Sequence, residues 1–343
     1  MFSEKTPLLK AVTEEPFLDV LEPVGGRAVT YSRSITLVLT HDCPWHCRYC
    51  GFRSDGEGLL SDGEVERIVQ EAQQGGAREA LLISGERPGG MPHIQEELAR
   101  RGYGDFWEFA NRVAERCAEA GLFPHGNFGR MTEEELVRLR PYFVSMGMML
   151  ESVRDDVEFA PEKKVAGRIA GMEAAGRAKV PFTSGILVGW GESQASRMES
   201  LECLAQIHSK YGHLQEILIQ RYVPNAGSRW RAGVAPTLSE YAEMMQAWRD
   251  WAPGVAIQIP PNLEPRWVDL LHELDDLGGI SWARDEVNPS RPWEQVDLYE
   301  KRCEAKGRKL VERLPVYQSH STREWLDVRW QERVSRFWEE RVQ

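Results

Sequence analysis

The sequence has no run of about 18 apolar residues, the minimum for a membrane-spanning helix. Its opening, MFSEKTPLLKAVTEEPF, mixes acids and bases where a signal peptide needs an apolar stretch. An excess of positive charge is also missing: 42 Lys plus Arg stand against 53 Asp plus Glu, a net charge of −11. That sign opposes neutralisation of nucleic-acid phosphates, so neither nucleic acid nor membrane is expected as a partner, and a small-molecule substrate is favoured. Cysteine is scarce too. Six thiols in 343 residues are too few for a disulfide-stapled secreted domain, and a cytoplasmic location is expected. No internal repeat, low-complexity tract or clear interdomain linker interrupts a chain whose length suits one large core.

What is there alternates between strand-like and helix-like runs. ITLVLT (Ile35 to Thr40) is continuously apolar and β-branched, as befits a strand buried on both faces. After it, Ser61 with Glu64 forms a capping-box signal for a helix reaching about Gln74. Further strands are expected at ALLIS (Ala80 to Ser84), around Pro124, at Phe143 to Leu150, Pro181 to Gly189, Glu216 to Tyr222, Val255 to Pro260 and Gly278 to Ser281. Helices are expected over Phe106 to Glu119, from Thr132, and over Val165 to Ala175, Arg197 to Lys210, Leu238 to Trp251 and Trp267 to Leu274. Eight strands alternating with helices favour an α/β fold of the (β/α)8 TIM-barrel type over an open doubly wound sheet. Residues 31–288 are read as the barrel, 1–30 as an N-terminal extension, and 289–343 as a C-terminal extension ending in an amphipathic helix. In such a barrel the chemistry sits just beyond the strand ends.

Three cysteines follow the first strand directly. HDCPWHCRYC sets Cys43, Cys47 and Cys50 at spacings of four and three, which lets one short loop turn three thiolates towards one iron-sulfur cluster. A zinc site is the competing reading, but zinc usually takes two well-separated ligand pairs, and only His41 and His46 offer themselves as extra donors. Cys117, Cys203 and Cys303 stand alone in helical segments and read as packed thiols.

CxxxCxxC directly after the first strand of a barrel pattern resembles the radical S-adenosylmethionine (SAM) signature. The resemblance implies a [4Fe-4S] cluster with one iron left open for SAM, whose reductive cleavage gives a 5′-deoxyadenosyl radical. By the same resemblance Gly85 and Glu86 look like the motif that holds the methionyl amino group, Arg168 like the partner of its carboxylate, and Glu151 like a ribose contact. Tyr49 looks like the aromatic residue whose backbone meets the adenine, and Gly189 belongs to a GxIxGxxE-like element (Gly185 to Glu192) beside it. Taken singly, Arg168 or Glu151 reads as an ion-pair partner and GxIxGxxE as a strand-to-helix turn; their order after successive strands raises them together.

From Tyr31 to about Tyr317 the chain resembles the CofG subunit of FO synthase, the deazaflavin-forming family, through strings such as TYSRSITLVLT, CRYCGFR, EALLISGERP, GLFPHGNFG, SMGMMLES, PFTSGILVGWGES and IQIPPNL. The resemblance implies a substrate made by a partner radical SAM enzyme, an adduct of tyrosine with a diaminouracil, which is oxidised and closed to the deazaflavin FO with loss of ammonia. It also implies an electron donor such as flavodoxin or ferredoxin. Polar residues at strand ends, namely Arg53, His125, Asn127, Gln220, Gln258 and Asn262, are the candidates for holding this flat aromatic substrate, and His125 for moving protons. A lone histidine is more often structural. Three departures from the family pattern are read as lying on the substrate side: SVRDDVEFAPEKK with Val157 where a histidine is usual, VPNAGSRWRAG in place of a PKPGTPM-like loop, and HGN for HTN. A paralogue acting on another aromatic or nucleoside-like molecule is therefore an alternative, and a non-catalytic iron-sulfur sensor is a second one that leaves the SAM-side elements unexplained.

Overall fold

The computed structural model describes residues 28–342 apart from 156, 157 and 284; the N-terminal extension up to residue 27 and the Val157 position lie outside the described residues. Eight parallel strands close into a barrel: β1 (Val29–Thr40), β2 (Glu79–Ser84), β3 (Phe123–Asn127), β4 (Ser145–Gly147), β5 (Phe182–Val188), β6 (Leu214–Arg221), β7 (Ala256–Gln258) and β8 (Asp276–Ile280). β1 closes the ring by pairing with β2 from Ser34 to Thr40 and with β8 at Thr30, Ser32 and Arg33. The outer layer contains α1 (Asp62–Gln74), α2 (Pro92–Arg100), α3 (Phe106–Glu119), α4 (Glu133–Leu139), α5 (Val165–Arg177), α6 (Gln194–Tyr211) and α7 (Leu238–Trp251). Sheet and helices enclose one large apolar layer from Ile35, Leu37 and Leu39 of β1 round to Met244, Met245 and Trp248 of α7. The helix starts follow local chemistry: Ser61, Thr132 and Thr237 each accept the N3 amide and have their own amide capped by Glu64, Glu135 and Glu240.

Two expected elements are shorter than their sequence pattern, and one helix is additional. The strand expected from Phe143 to Leu150 shrinks to Ser145–Gly147: beyond it the chain keeps to β5 through Met148 N–H to Thr183 O (3.0 Å) and then pairs again at Glu151, of φ 69°, which bridges Ile186 through Glu151 N–H to Gly185 O (3.1 Å) and Leu187 N–H to Glu151 O (2.9 Å). The helix expected from Trp267 to Leu274 is only a 3-10 turn over Trp267–Leu270. The helix α2, opened by Pro92, has no counterpart in the sequence reading.

The C-terminal segment seals the opposite end of the barrel from the strand tips. After α8 (Val296–Glu304), β9 (Leu310–Arg313) pairs with the first residues of β1, Val29 to Ser32. The chain then passes beneath the strands, where Pro315 O accepts the Ser145 hydroxyl (2.6 Å) and the Gln215 amide (2.9 Å). The amphipathic α9 (Val328–Val342) packs Trp330, Val334, Phe337 and Trp338 against Phe123, Val144, Leu314 and Val316. Burying these aromatics closes the strand starts to water, and leaves the loop side as the open face.

Candidate active site

The cysteine loop leaves the end of β1 and is folded back by one buried carboxylate. Asp42 accepts the amides of Gly56 (2.5 Å) and Gly58 (2.8 Å) and faces His93 Nε2 at 3.2 Å. Both glycines have positive φ, 76° and 80°, which lets their N–H groups turn towards it. Arg53 donates from Nε to Cys43 O (2.8 Å), and on the other flank Arg48 is tied to Phe159 O and Arg229 to Arg48 O. Held this way, Cys43, Cys47 and Cys50 are all unpaired thiols lining one cavity of about 390 Å³. Burial pushes the Cys47 thiol up to about 12 and raises Cys43. Such thiols become thiolates by exchanging a proton for a metal.

A tetrahedral zinc site gathers its donors about 2 Å from a single point. Among the described residues no three His, Cys, Asp or Glu side chains converge in that way. Three free thiols lining one cavity can serve a cluster, in which each thiolate takes a different iron.

Next to the cysteines the cavity is walled by Gly85, Glu86, Tyr49, Glu151 and Arg168. Gly85 must lack a side chain, since a Cβ there would stand 2.2 Å from Asp42 O and 2.6 Å from Cys43 Cβ. Glu86 sends its amide to Cys43 Sγ (3.3 Å), and its carboxylate takes the Arg130 amide (2.8 Å) and Arg168 Nη1 (3.3 Å). Arg168 also donates from Nε to Met149 O at 2.9 Å. Glu151 accepts the Tyr49 hydroxyl (2.8 Å) and Lys163 Nζ (2.9 Å), and although buried it stays below the usual carboxylate range because Lys163 and Arg168 stand beside it. The Tyr49 ring stacks on Phe159 at 4.4 Å, and Phe159 on Trp190 at 4.2 Å.

Deeper in the barrel the cavity reaches all six polar candidates, Arg53, His125, Asn127, Gln220, Gln258 and Asn262. Asn262 is already engaged, donating to Asp285 Oδ2 (2.8 Å) and Arg291 O (2.9 Å). His125 Nδ1 lies 2.7 Å from Ser145 Oγ, whose single proton goes to Pro315 O. The histidine is therefore the donor in that pair; its proton is on Nδ1 and Nε2 is left as an acceptor. Burial, with Arg313 nearby, lowers His125 to about 3, so the imidazole is neutral.

The floor is built from residues that sequence reasoning passed over. Arg313, delivered by the C-terminal extension, donates to Asp276 from Nε (2.6 Å) and Nη2 (2.7 Å) and to Glu216 Oε1 (3.0 Å). Glu216 also accepts Tyr317 Oη (3.0 Å) and the Gln258 amide (3.2 Å to each oxygen). Glu79 completes the lining. The available signal was a carboxylate at the head of an otherwise apolar strand, in EALLIS and EILIQ. Lys163 was likewise missed on the SAM side.

Two expectations need correction. Gly189 does not line the cavity: with φ of 81° it starts a turn in which the amides of Gly189, Trp190 and Gly191 all go to the Glu192 carboxylate, and Leu187 of the same strand faces the cavity instead. The glycine of HGN, Gly126, does not face the substrate side either. A Cβ there would stand 2.8 Å from Phe128 and 3.2 Å from Phe143, so this departure concerns packing behind the barrel. The VPNAGSRWRAG loop does reach the cavity, through Val223 and Asn225.

Comparison with known proteins agrees with this arrangement. Residues 37–204 match the Radical SAM superfamily model. The chain is 39% identical over 308 residues to the 7,8-didemethyl-8-hydroxy-5-deazariboflavin synthase of Archaeoglobus fulgidus, covering 87% of this chain and 93% of the relative. It is 39% identical over 317 residues to the synthase of that name from Methanothermobacter thermautotrophicus, covering 89% and 97%. Among solved structures, methylornithine synthase (PylB) superposes with a TM-score of 0.61 at 17% identity over 82% of this chain and 83% of that one. HydG, a maturase of the [FeFe]-hydrogenase, superposes with 0.65 at 14% identity over 92% and 79%; at these identities the two support the barrel fold alone. Membership brings a [4Fe-4S] cluster and SAM as cofactors. The chain belongs to the radical SAM superfamily and, within it, to the 7,8-didemethyl-8-hydroxy-5-deazariboflavin synthase family.

Proposed function

We propose that this enzyme completes the deazaflavin FO, oxidising and cyclising an adduct of tyrosine with a diaminouracil and releasing ammonia. The observation that carries the reading is one continuous cavity, from the three-cysteine loop to a polar barrel floor, in a chain collinear with synthases of that name. In this reading Cys43, Cys47 and Cys50 hold the cluster. Gly85 and Glu86 receive the methionyl amino group of SAM, Arg168 its carboxylate, and Tyr49, Glu151 and Lys163 its nucleoside end. When bound, this pair supplies a 5′-deoxyadenosyl radical that takes a hydrogen atom from the substrate.

The protein's own contribution is orientation and proton movement. Arg53, Asn127, Gln220, Gln258 and Asn262 offer donors and acceptors from several strand ends to a flat, polar, neutral substrate. His125, neutral and unprotonated at Nε2, is equipped to accept a proton. The cavity is shut at the strand starts by the C-terminal extension, which keeps water from a reactive intermediate. The substrate is supplied by a partner radical SAM enzyme, electrons come from a flavodoxin or ferredoxin, and the cytoplasm is the site of action; no helix among the described residues is long and apolar enough to cross a membrane.

A second reading, a paralogue acting on another aromatic or nucleoside-like molecule, draws on Val223 and Asn225, which bring a divergent loop into the cavity wall. Anaerobic reconstitution with SAM and the adduct separates the two. Deazaflavin fluorescence together with 5′-deoxyadenosine supports FO formation, whereas 5′-deoxyadenosine formed only with a different substrate supports the paralogue.

A further inference from the structure

The cavity floor contains an acid that the arrangement above leaves unused. Glu216 and Asp276 bind a single guanidinium, Arg313, and Glu79 feels its charge without touching it. Three carboxyls around one permanent cation cannot all ionise in a buried site. Asp276 takes the guanidinium at two points; Glu216 has Arg313, Tyr317 and Gln258 as donors, yet burial and the neighbouring Asp276 carboxylate raise it well above the usual carboxylate range, so it is Glu79 alone that faces the cavity without a donor side chain of this set. Among the described residues Glu79 makes no ion pair, although it is only 6% exposed and faces the cavity. Burial pushes its carboxyl up; the Ser32 and Ser34 hydroxyls and Arg313 pull the other way, while Asp276 adds to the rise. A buried carboxyl with no cation of its own is held as the neutral acid.

Its position complements that of His125. In the β2–β3 register Glu79 lies opposite Phe123 and Leu81 lies opposite His125, so acid and base sit on neighbouring strands two residues apart along the barrel axis, about 7 Å. Both line the same cavity, one holding a proton and the other a free lone pair. Two titratable groups whose surroundings drive them to opposite protonation tasks are the usual basis of an acid–base pair.

Resting on the FO reading, we propose that Glu79 is the proton donor of the ammonia-releasing step and His125 Nε2 its proton acceptor. The step is a redox-neutral elimination. The C–N bond breaks with its electron pair going to nitrogen, which takes the Glu79 proton and leaves as ammonia. On the adjacent carbon the C–H pair becomes the new C=C bond, and that proton goes to His125 Nε2. The resulting carboxylate and imidazolium offset each other's charge until the proton returns.

The test compares cluster-loaded wild-type enzyme and Glu79→Gln, each supplied with SAM and the adduct, and reads FO and ammonia formed per 5′-deoxyadenosine. Loss of a general acid is expected to lower both ratios by about 100-fold, with an oxidised adduct that keeps its amino group accumulating in the mass spectrum. Ratios equal to wild type overturn the assignment. If the glutamine variant does not take up iron, Glu79→Asp carries the comparison: ratios about tenfold down support a misplaced acid, and unchanged ratios refute it. Wild-type enzyme that makes 5′-deoxyadenosine from the adduct but no FO refutes the FO reading itself, and the Glu79 assignment with it, before any variant is compared.

Discussion

Ser145 decides which nitrogen of His125 is free. Its hydroxyl has one proton, committed to Pro315 O at 2.6 Å, so towards His125 Nδ1 it can only accept. Removing that acceptor leaves the ring free to carry its proton on Nε2, the wrong atom for a base. Ser145→Ala is therefore expected to lower the turnover number for FO formation on the order of tenfold to a hundredfold, with little change in KM for the adduct. Ser145→Thr, which keeps the hydroxyl, should recover most of the loss. If the alanine variant moves only KM, or threonine fails to rescue it, the positioning role is wrong and the hydroxyl is merely part of the seal.

At the level of elements, the cluster loop depends on how closely β1 and β2 approach at their ends. Gly85 follows β2 and meets the carbonyl of Asp42 and the Cβ of Cys43 at distances no side chain can share. Backbone atoms cannot swing aside as a flexible side chain can. Gly85→Ala should therefore displace the cysteine loop, cost about 1–3 kcal/mol in stability and lower the iron bound per chain after reconstitution. Iron content and Tm equal to wild type would contradict the close approach. The sequence made this region legible because apolar runs, capping boxes and the cysteine spacing are local signals: α1, α3 and α7 lie where those signals put them, and β1 ends with its apolar run at Thr40 although it starts earlier, at Val29. β4 resisted because its ladder to β5 is interrupted between Gly147 and Glu151, where pairing resumes at a residue with left-handed backbone, and such an interruption leaves no mark in the apolar run. The floor resisted for a different reason. Arg313 joins Asp276 and Glu216 across separations of 37 and 97 residues, and no periodicity links positions so far apart.

Across the whole molecule, the C-terminal extension meets the barrel wall beside histidines held neutral, one of which, His320, bonds across the junction. His213, at the start of β6, and His320, in the extension, are lowered by burial to about 3 and about 4; His208 on α6 is lowered as well. His320 Nε2 lies 3.0 Å from Gly212 O, tying the extension to the turn before β6. With His125 at about 3, the folded protein binds fewer protons than the unfolded chain from the ordinary histidine range near 6.5 downwards. The sign follows from linkage: where the unfolded state binds more protons, stability rises with pH. The contribution of these groups is present in full above about pH 6.5 and is lost as the pH falls towards 4. Moving from pH 7.5 to 5.5 should remove about 1 kcal/mol for each of His125, His213 and His320. Urea unfolding at the two pH values measures the total. His213→Asn should flatten the dependence by one such share, because asparagine takes up no proton in the unfolded chain, and a slope unchanged by that substitution would show that the acid sensitivity lies elsewhere. The first structure to loosen should be the seal formed by β9 and α9, since His320 lies in the stretch between them and His213 borders it. Hydrogen exchange at pH 5.5 should therefore rise in the segment from Leu310 to Leu326 before it rises in β2 or β5.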